Sequence, residues 1–577
     1  MNKYRWIVAL TVGAALCGCG RLPKDGPAPA PAPTPAVANS MASMPMHAPT
    51  TLAEWAHGAQ LFDGLGDFHR AITTSVPAAQ QYFDQGMRMM WAFNHDEATR
   101  SFARAAEIDP ACAACYWGVS LTVGPNYNLP FMTAERAQVA FDTLAKARQA
   151  ASHGSAVEQA LIEALASRYP TAAPLDPTTA IPVLTAYAAA MKEVARKFPK
   201  DSDVQTLYAE ALMNVNAWKL WSADGKPTAG TDEIVATLEA VLARDPTHPG
   251  ANHYYVHTLE ASPHPEKAVA SAERLKDLMP AAGHMVHMPA HIMQRVGRYE
   301  EAAEANRRGV AADDAYVAHT RPPDYYAAMY SAHNYQFLAF SAAMEGRKAE
   351  TISAADGSRK AVDDALLLAM PGADWQVAEQ YTARVRFGMW DELLAMPAPD
   401  ARLPGLTAGY LYGRAMALAA KGRVDEARAI AAKMQSLADS KQAESGAGLN
   451  TVRDVLAVAI PVVRARICTA DHQPEQALAA LQQAVTAEDH LAYNEPSDWF
   501  SPVRQQLGAS LLQAGKAAEA EQAYRQDLRN HPDNGWALYG LAAALKAQGH
   551  ASAAHDVARR FDAAWRHADI VLASSAF

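Results

Sequence analysis

Cysteine is scarce in this chain, with 5 in 577 residues, which excludes a disulfide-built scaffold and leaves stability to a packed core. Charge is sparse as well. Asp, Glu, Lys and Arg make up 19% of the residues against 50% apolar, so the body is expected to fold and not to remain disordered. No long basic run is present, and 51 Lys and Arg stand against 61 Asp and Glu for a net charge of −10. Nucleic acid is therefore not an expected partner, because phosphate binding needs a clustered positive surface. No apolar stretch reaches the roughly 20 residues that span a bilayer. HExxH and GxSxG are both missing, which argues against the standard zinc-peptidase and nucleophile-elbow arrangements. Alternating strand patterns are nearly absent.

What is present begins with an address. Lys3 and Arg5 precede an apolar run from Trp6 to Leu16 and then small residues, the form of a secretory signal. Leu16-Cys17-Gly18-Cys19 resembles the bacterial lipoprotein box, in which the cysteine becomes the lipidated first residue of the mature chain. That resemblance implies a lipoprotein-type signal peptide over 1–19, lipidation of Cys19, and an exported protein of the bacterial cell envelope facing the periplasm. Membrane contact is then through the lipid anchor alone. Cys17 departs from the small or β-branched residue usual at its place, and an ordinary signal peptide cut nearby is the other reading. Residues 20–50 alternate Pro and Ala in a linker that cannot pack a core. Met41, Met44, Met46 and His47 carry soft donors but are read as linker residues. Cys112-Ala-Ala-Cys115 has redox-motif spacing without the following His of a haem site or a neighbouring βαβ pattern, and is read as a pair of small packing residues.

From about residue 78 the apolar residues follow helical spacing, in segments rich in Ala, Leu, Glu, Gln and Arg. Gly86, Ala98, Phe102, Ala105 and Pro110 fall at the offsets of a 34-residue helix-turn-helix signature. Gly508, Gly515, Ala520, Tyr524 and Pro532 hold the same phase, and Ala542, Gly549 and Ala554 repeat it one unit later. The chain thus resembles the tetratricopeptide repeat (TPR) family, which implies an all-α, TPR-type α-solenoid over 51–577. Further units fit 249–282, 283–316, 408–440 and 461–488, with irregular intervals near 120–235 and 317–400. A lone hairpin cannot bury its apolar face, so stacked neighbours must complete the core.

The stretch 252–299 carries the strongest chemical signal. With Gly297 at the fifteenth place of a repeat, His287 stands at place five and His291 at place nine; one unit earlier the same places hold His253 and His257. Residues i and i+4 share a helix face, so each pair presents two imidazoles in one direction. In TPR proteins these places face the concave groove, as the resemblance implies. Glu260 lies three residues after His257 on its face, as a further ligand or a candidate general base. His284 and His333 each stand thirteen residues before a turn glycine, Gly297 and Gly346, and join the set as groove residues together with Tyr254. Imidazole and carboxylate are good ligands for zinc, copper, iron or nickel, and packed helices lie roughly 8–10 Å apart, near enough for such side chains to converge. Met285, Met288 and Met293 favour copper if their sulfurs join the imidazoles.

Segments 92–110, 124–128 (GPNYN), 287–292 (HMPAHI), 295–306 and 494–521 are similar to a group of bacterial exported TPR proteins with an HMPxH segment and no activity to carry over. Two functions follow. One is an envelope-tethered solenoid whose His-rich concave groove binds a transition metal, for metal handling or a metal-dependent reaction. The other is a nonenzymatic adaptor that grips a peptide or envelope protein in the groove. His95, His490, Asp498 and Trp499 fall outside the aligned set.

Overall fold

The computed structural model describes residues 48–577 apart from 178, 321, 323 and 324. The expected signal peptide with Cys17 and Cys19, and the expected linker through His47, lie outside the described residues. Among the described residues consecutive helices pack on one another as hairpins, and strand is confined to Gly446–Ala447 paired antiparallel with Asn450–Thr451. The fold is an all-α solenoid of TPR-type units. No described helix is long and apolar enough to cross a membrane.

The first repeat consists of α1 (Pro77–Trp91) and α2 (His95–Ile108), followed by α3 (Ala113–Thr122). Its small positions are dictated by one ring. A Cβ on Gly86 would lie 2.5 Å from Phe102 Cε1, and one on Gly118 would lie 2.5 Å from Phe102 Cδ1. Phe102 is therefore clamped between its own hairpin and the next, and only glycine on either side lets the helices close. Cys112, the N-cap of α3, is joined to Cys115 by a disulfide, so the expected pair of free packing residues is instead a covalent link, still fully buried.

The site is built by α4 (Pro249–Leu259), α5 (Gly283–His287), α6 (Pro289–Arg295), α7 (Tyr299–Thr320) and α8 (Ala332–Met344). The sequence places His287 and His291 on one helix. The chain divides that helix, because Pro289 has no N–H to donate to the ladder. Met288 keeps right-handed helical angles (φ −52°, ψ −33°), so α6 continues the direction of α5 and the two histidines still share a face. Gly297 and Gly346 turn the chain at φ +79° and +70°, a left-handed conformation that glycine adopts without a Cβ clash.

Toward the C-terminus α9 (Val503–Gln513), α10 (Ala517–Asn530) and α11 (Gly535–Ala547) repeat the first arrangement. Cβ atoms on Gly508 and Gly540 would lie 2.4 and 2.1 Å from Tyr524 Cζ, the same clamp around an aromatic ring. Of the irregular intervals, 120–235 still forms helices such as Ile181–Lys197 and Ser202–Val215. The interval 317–400 opens with a π-helical turn at Ala327–Ser331, continues through α8 and a helix at Lys348–Ala361, and then breaks into the short helices Asp364–Ala369, Glu379–Arg386 and Trp390–Ala395.

Candidate metal centre

Six imidazoles gather into two sets of three. His253, His257 and His284 each offer a ring nitrogen within 4.8 Å of the others, and so do His287, His291 and His333. The sets adjoin: the His257 and His291 ring centroids are 5.6 Å apart, and those of His284 and His287 are 5.9 Å apart. The division differs from the pairing in the sequence. Each helical pair forms two-thirds of a set, and the third ring is supplied by the start of α5 or by α8.

Hydrogen bonds on the far side fix the tautomer of His253, His257 and His287, whereas His284 Nδ1 is buried with no hydrogen-bond partner. His253 Nδ1 donates to the Trp91 carbonyl at 2.6 Å, so its Nε2 carries a lone pair, facing His284 Nε2 at 3.1 Å. His257 Nδ1 donates to Glu260 Oε1 at 3.1 Å, and its Nε2 is buried with no hydrogen-bond partner. Asn306 is oriented by its own amide, whose Nδ2 donates to the Ala302 carbonyl; its Oδ1 then accepts from His287 Nδ1 at 2.7 Å. His287 Nε2 is left facing His291 Nε2 at 2.8 Å. His291 Nδ1 lies 2.5 Å from Glu260 Oε2 and 2.9 Å from Glu495 Oε2, neither oxygen well aligned for a directed hydrogen bond, so the contact is an ion pair shared between two carboxylates.

His253 Nε2 and His287 Nε2 each present a lone pair to a second imidazole, a position that an N–H of that ring or a bound cation fills. Around an ion with bonds of about 2.0–2.1 Å, tetrahedral geometry puts neighbouring nitrogens roughly 3.3 Å apart, close to the spacings observed. Burial holds the His253, His284 and His287 imidazoles well below their ordinary value, and the neighbouring imidazoles push the same way. Burial likewise lowers His257, against the pull of Glu260, and brings His333 down to about 3. These five rings are neutral, the form that binds metal. His291 is the exception. Burial disfavours its cation, but Glu260 and Glu495 override that and raise it. Glu260 is held low by His257 and His291 despite its burial, whereas burial raises Glu495.

The expected open groove is not formed by these residues. His253, His257, His287, His291 and Glu260 are each at most 2% exposed, and His284 is 5% exposed. Three segments cover them. The turn after α1 places Phe93 at φ +56°, uncommon outside glycine, and its ring lies 4.6 Å from His253 and stacks on His257 and His284. The GPNYN loop, read as shaping a turn, sets Tyr127 against His257 at 5.4 Å and stacks it on Trp218. Phe337 of α8 packs 4.6 Å from His287 and 4.5 Å from His291.

Other candidates fall elsewhere. Tyr254 points into the core at 1% exposure, stacked on Phe93 and edge-on to Trp91, and is not a groove residue. Met285, Met288 and Met293 belong to the buried apolar cluster of this half of the chain. Glu260 sits on the Nδ1 side of His257 and of His291, orienting one ring of each set; its grouping is with His291 and Glu495 and not with the His253 pair. His490 is exposed and donates to the Thr486 carbonyl, the half-buried Asp498 accepts from Asn450 and Asn494, and Trp499 packs on Tyr412. His95 is buried beside Phe93, outside both sets. Glu495 and Asn306 were not singled out from the sequence. Each lies inside a segment that was quoted, but no periodicity connects either to the histidines.

No family model matches the chain, and no curated protein does. Among solved structures it is similar to human IFIT1, a dimer with m7Gppp-AAAA, at 11% identity over 92% of this chain and 98% of that one, with a TM-score of 0.33. It is also similar to Cut9–Hcn1 of the APC/C (15% identity, 90% and 79% covered, TM-score 0.29) and to the TPR domain of P58(IPK) (12%, 78% and 99%, 0.21). At such scores these likenesses carry no argument, and the chemistry rests on the residues.

Proposed function

We propose that this protein is a metal-binding solenoid that holds two transition-metal ions side by side, one on His253, His257 and His284 and the other on His287, His291 and His333. The observation that carries the reading is the convergence of six ring nitrogens in two sets, with His253, His257 and His287 already committed through their opposite nitrogens and His257 Nε2 left partnerless in the interior. A buried polar atom without a partner is costly, and a bound ion removes that cost at every ring of a set together. Three protein ligands per ion leave coordination positions open, the pattern of a reactive site and not of a closed structural one. The signal sequence supports an envelope tether at Cys19, with the linker holding the helical body away from the membrane.

Elemental analysis of tag-free protein tests this, beside the double variant His257→Ala/His291→Ala. Two metal equivalents that vanish in the variant, with far-UV circular dichroism unchanged, are the expected result. Metal-free protein that cannot be loaded with copper, zinc or iron would overturn the reading. A second interpretation has one observation in its favour: a protonated His291, charged against Glu260 and Glu495, can donate through Nε2 to His287 and satisfy the second set without metal. It leaves His257 Nε2 of the first set without a donor, while a His284 Nε2–H can meet His253 Nε2 there.

A further inference from the structure

Which metal, and for what ligand, can be argued from the walls of the site; the inference rests on the two-metal reading above. The six ligands are all imidazoles, matched three and three. Each set has a ring held by Glu260 from outside, through His257 and through His291, so one carboxylate positions a ligand of both ions. The two sets are near-copies in chemistry and adjacent in space, as two ions acting on one small molecule require.

The surroundings are mostly aromatic. Phe93, Phe337, Tyr127 and Trp218 pack on the rings. The nearby guanidinium, that of Arg295, donates to the carbonyls of Glu260 and Ser262 and stacks on Tyr493. It is committed to holding the α4 end and the 493 loop together. Beside the first set lies a small pocket lined by His284, Asn94, Met89, Tyr316, Tyr326 and Tyr330, with room for about one water-sized molecule. The phenols are committed: Tyr330 donates to the Phe93 carbonyl, Tyr326 to Asp313 and Tyr316 to Glu97. The pocket thus presents ring faces, Met89, one imidazole and the Asn94 amide, whose Oδ1 accepts from the Glu97 N–H, and with its hydroxyls turned to their partners its chemistry favours a small neutral guest.

We propose that the paired centre is a dicopper site whose ligand is dioxygen, reached through the tyrosine-lined pocket at His284. Imidazole suits copper, and donors that bind as uncharged nitrogen ligands favour the singly charged cuprous ion over a more highly charged one in so apolar an interior. Dioxygen binding then balances within the site. Each Cu(I) gives up one electron and becomes Cu(II), the O–O π bond is broken while the σ bond is kept, and the dianion formed is held between the two ions. No proton and no outside reductant enters. Release of dioxygen returns both electrons.

The test loads the full-length chain anaerobically with two equivalents of Cu(I), confirms the copper content, and titrates dioxygen while following uptake and absorption. One dioxygen per two coppers is expected, with a new charge-transfer band whose resonance-Raman O–O stretch shifts with isotope-labelled dioxygen. The variant His287→Ala/His333→Ala, limited to the first copper, is expected to take up at least tenfold less. If that pair of changes unfolds the protein, His333→Gln gives the same comparison. Two bound coppers with no uptake would overturn this inference and leave the metal reading intact. Uptake by the single-copper variant equal to that of the parent would do the same. A chain that holds no metal would overturn both.

Discussion

The His-bearing repeats and the C-terminal repeats share one register and use it differently. At place five the former carry His253 and His287, and the unit at 501–534 carries Gln505. All three are buried. Gln505 settles its amide locally, donating to Asp527 Oδ2 at 2.9 Å and Asn534 Oδ1 at 3.1 Å. His253 reaches across to the carbonyl of Trp91, 162 positions away, and aims its other nitrogen at a second histidine. A repeat place thus fixes where a side chain stands. Whether it closes on its own hairpin or on a shared centre depends on what distant chain covers it.

The largest expected effect comes from the covering repeat. Phe102→Ala empties the ring clamped by Gly86 and Gly118 and is expected to destabilise by about 3–5 kcal/mol in urea unfolding. It should also weaken metal binding, since that hairpin ends in Phe93 against the imidazoles. Tyr524→Ala removes the equivalent ring at the other end and should lower stability while leaving metal affinity far less changed. Equal loss of affinity in both would erase the contrast between the regions.

Metal itself should separate them next. At a free metal concentration of roughly one hundred times the dissociation constant, unfolding free energy is expected to rise by about 2.7 kcal/mol per site. The gain should be absent from His257→Ala/His291→Ala and preserved in Gln505→Leu. Calorimetry with and without metal checks it.

A smaller effect is pH-dependent and belongs to the C-terminal half. Burial raises Glu488 to about 8, reinforced by Asp527 and Asp489, against the Val503 N–H and Arg504. The folded chain therefore keeps a proton that the unfolded chain releases near the ordinary 4.5. Between those values the native state binds more protons, so stability falls as pH rises, by at most about 1.4 kcal/mol per pH unit. Glu488→Gln should flatten that slope in denaturation measured from pH 5 to 8. The smallest change is Tyr524→Phe. Ser575 donates to the Gln505 carbonyl and accepts from the Tyr524 hydroxyl, and losing that link is expected to cost about 0.5–1.5 kcal/mol.

Much of this was legible before any coordinates. Gly86, Phe102, Gly508 and Tyr524 announce the hairpins because a 34-residue period leaves the same steric demand at the same place. The aligned histidines are legible for the same reason. Glu495 is not, since nothing in a local pattern says that residue 495 meets residue 291. Asn306 is missed because its role is to orient a ring and not to bind. Tyr254 misleads because adjacent helix positions differ by about a hundred degrees, enough to turn it from the imidazole face into the core.

By itself the sequence determined the helical repeat, the glycine turns and the two histidine pairs, all of which are set by spacing along one chain. Tertiary structure alone decided that the pairs become two triads, that they are sealed by Phe93, Tyr127 and Phe337, and that Glu260 and Glu495 meet at His291. The physical reason is reach. Helical periodicity fixes direction over a few residues, whereas burial and convergence depend on segments hundreds of residues apart being packed against one another.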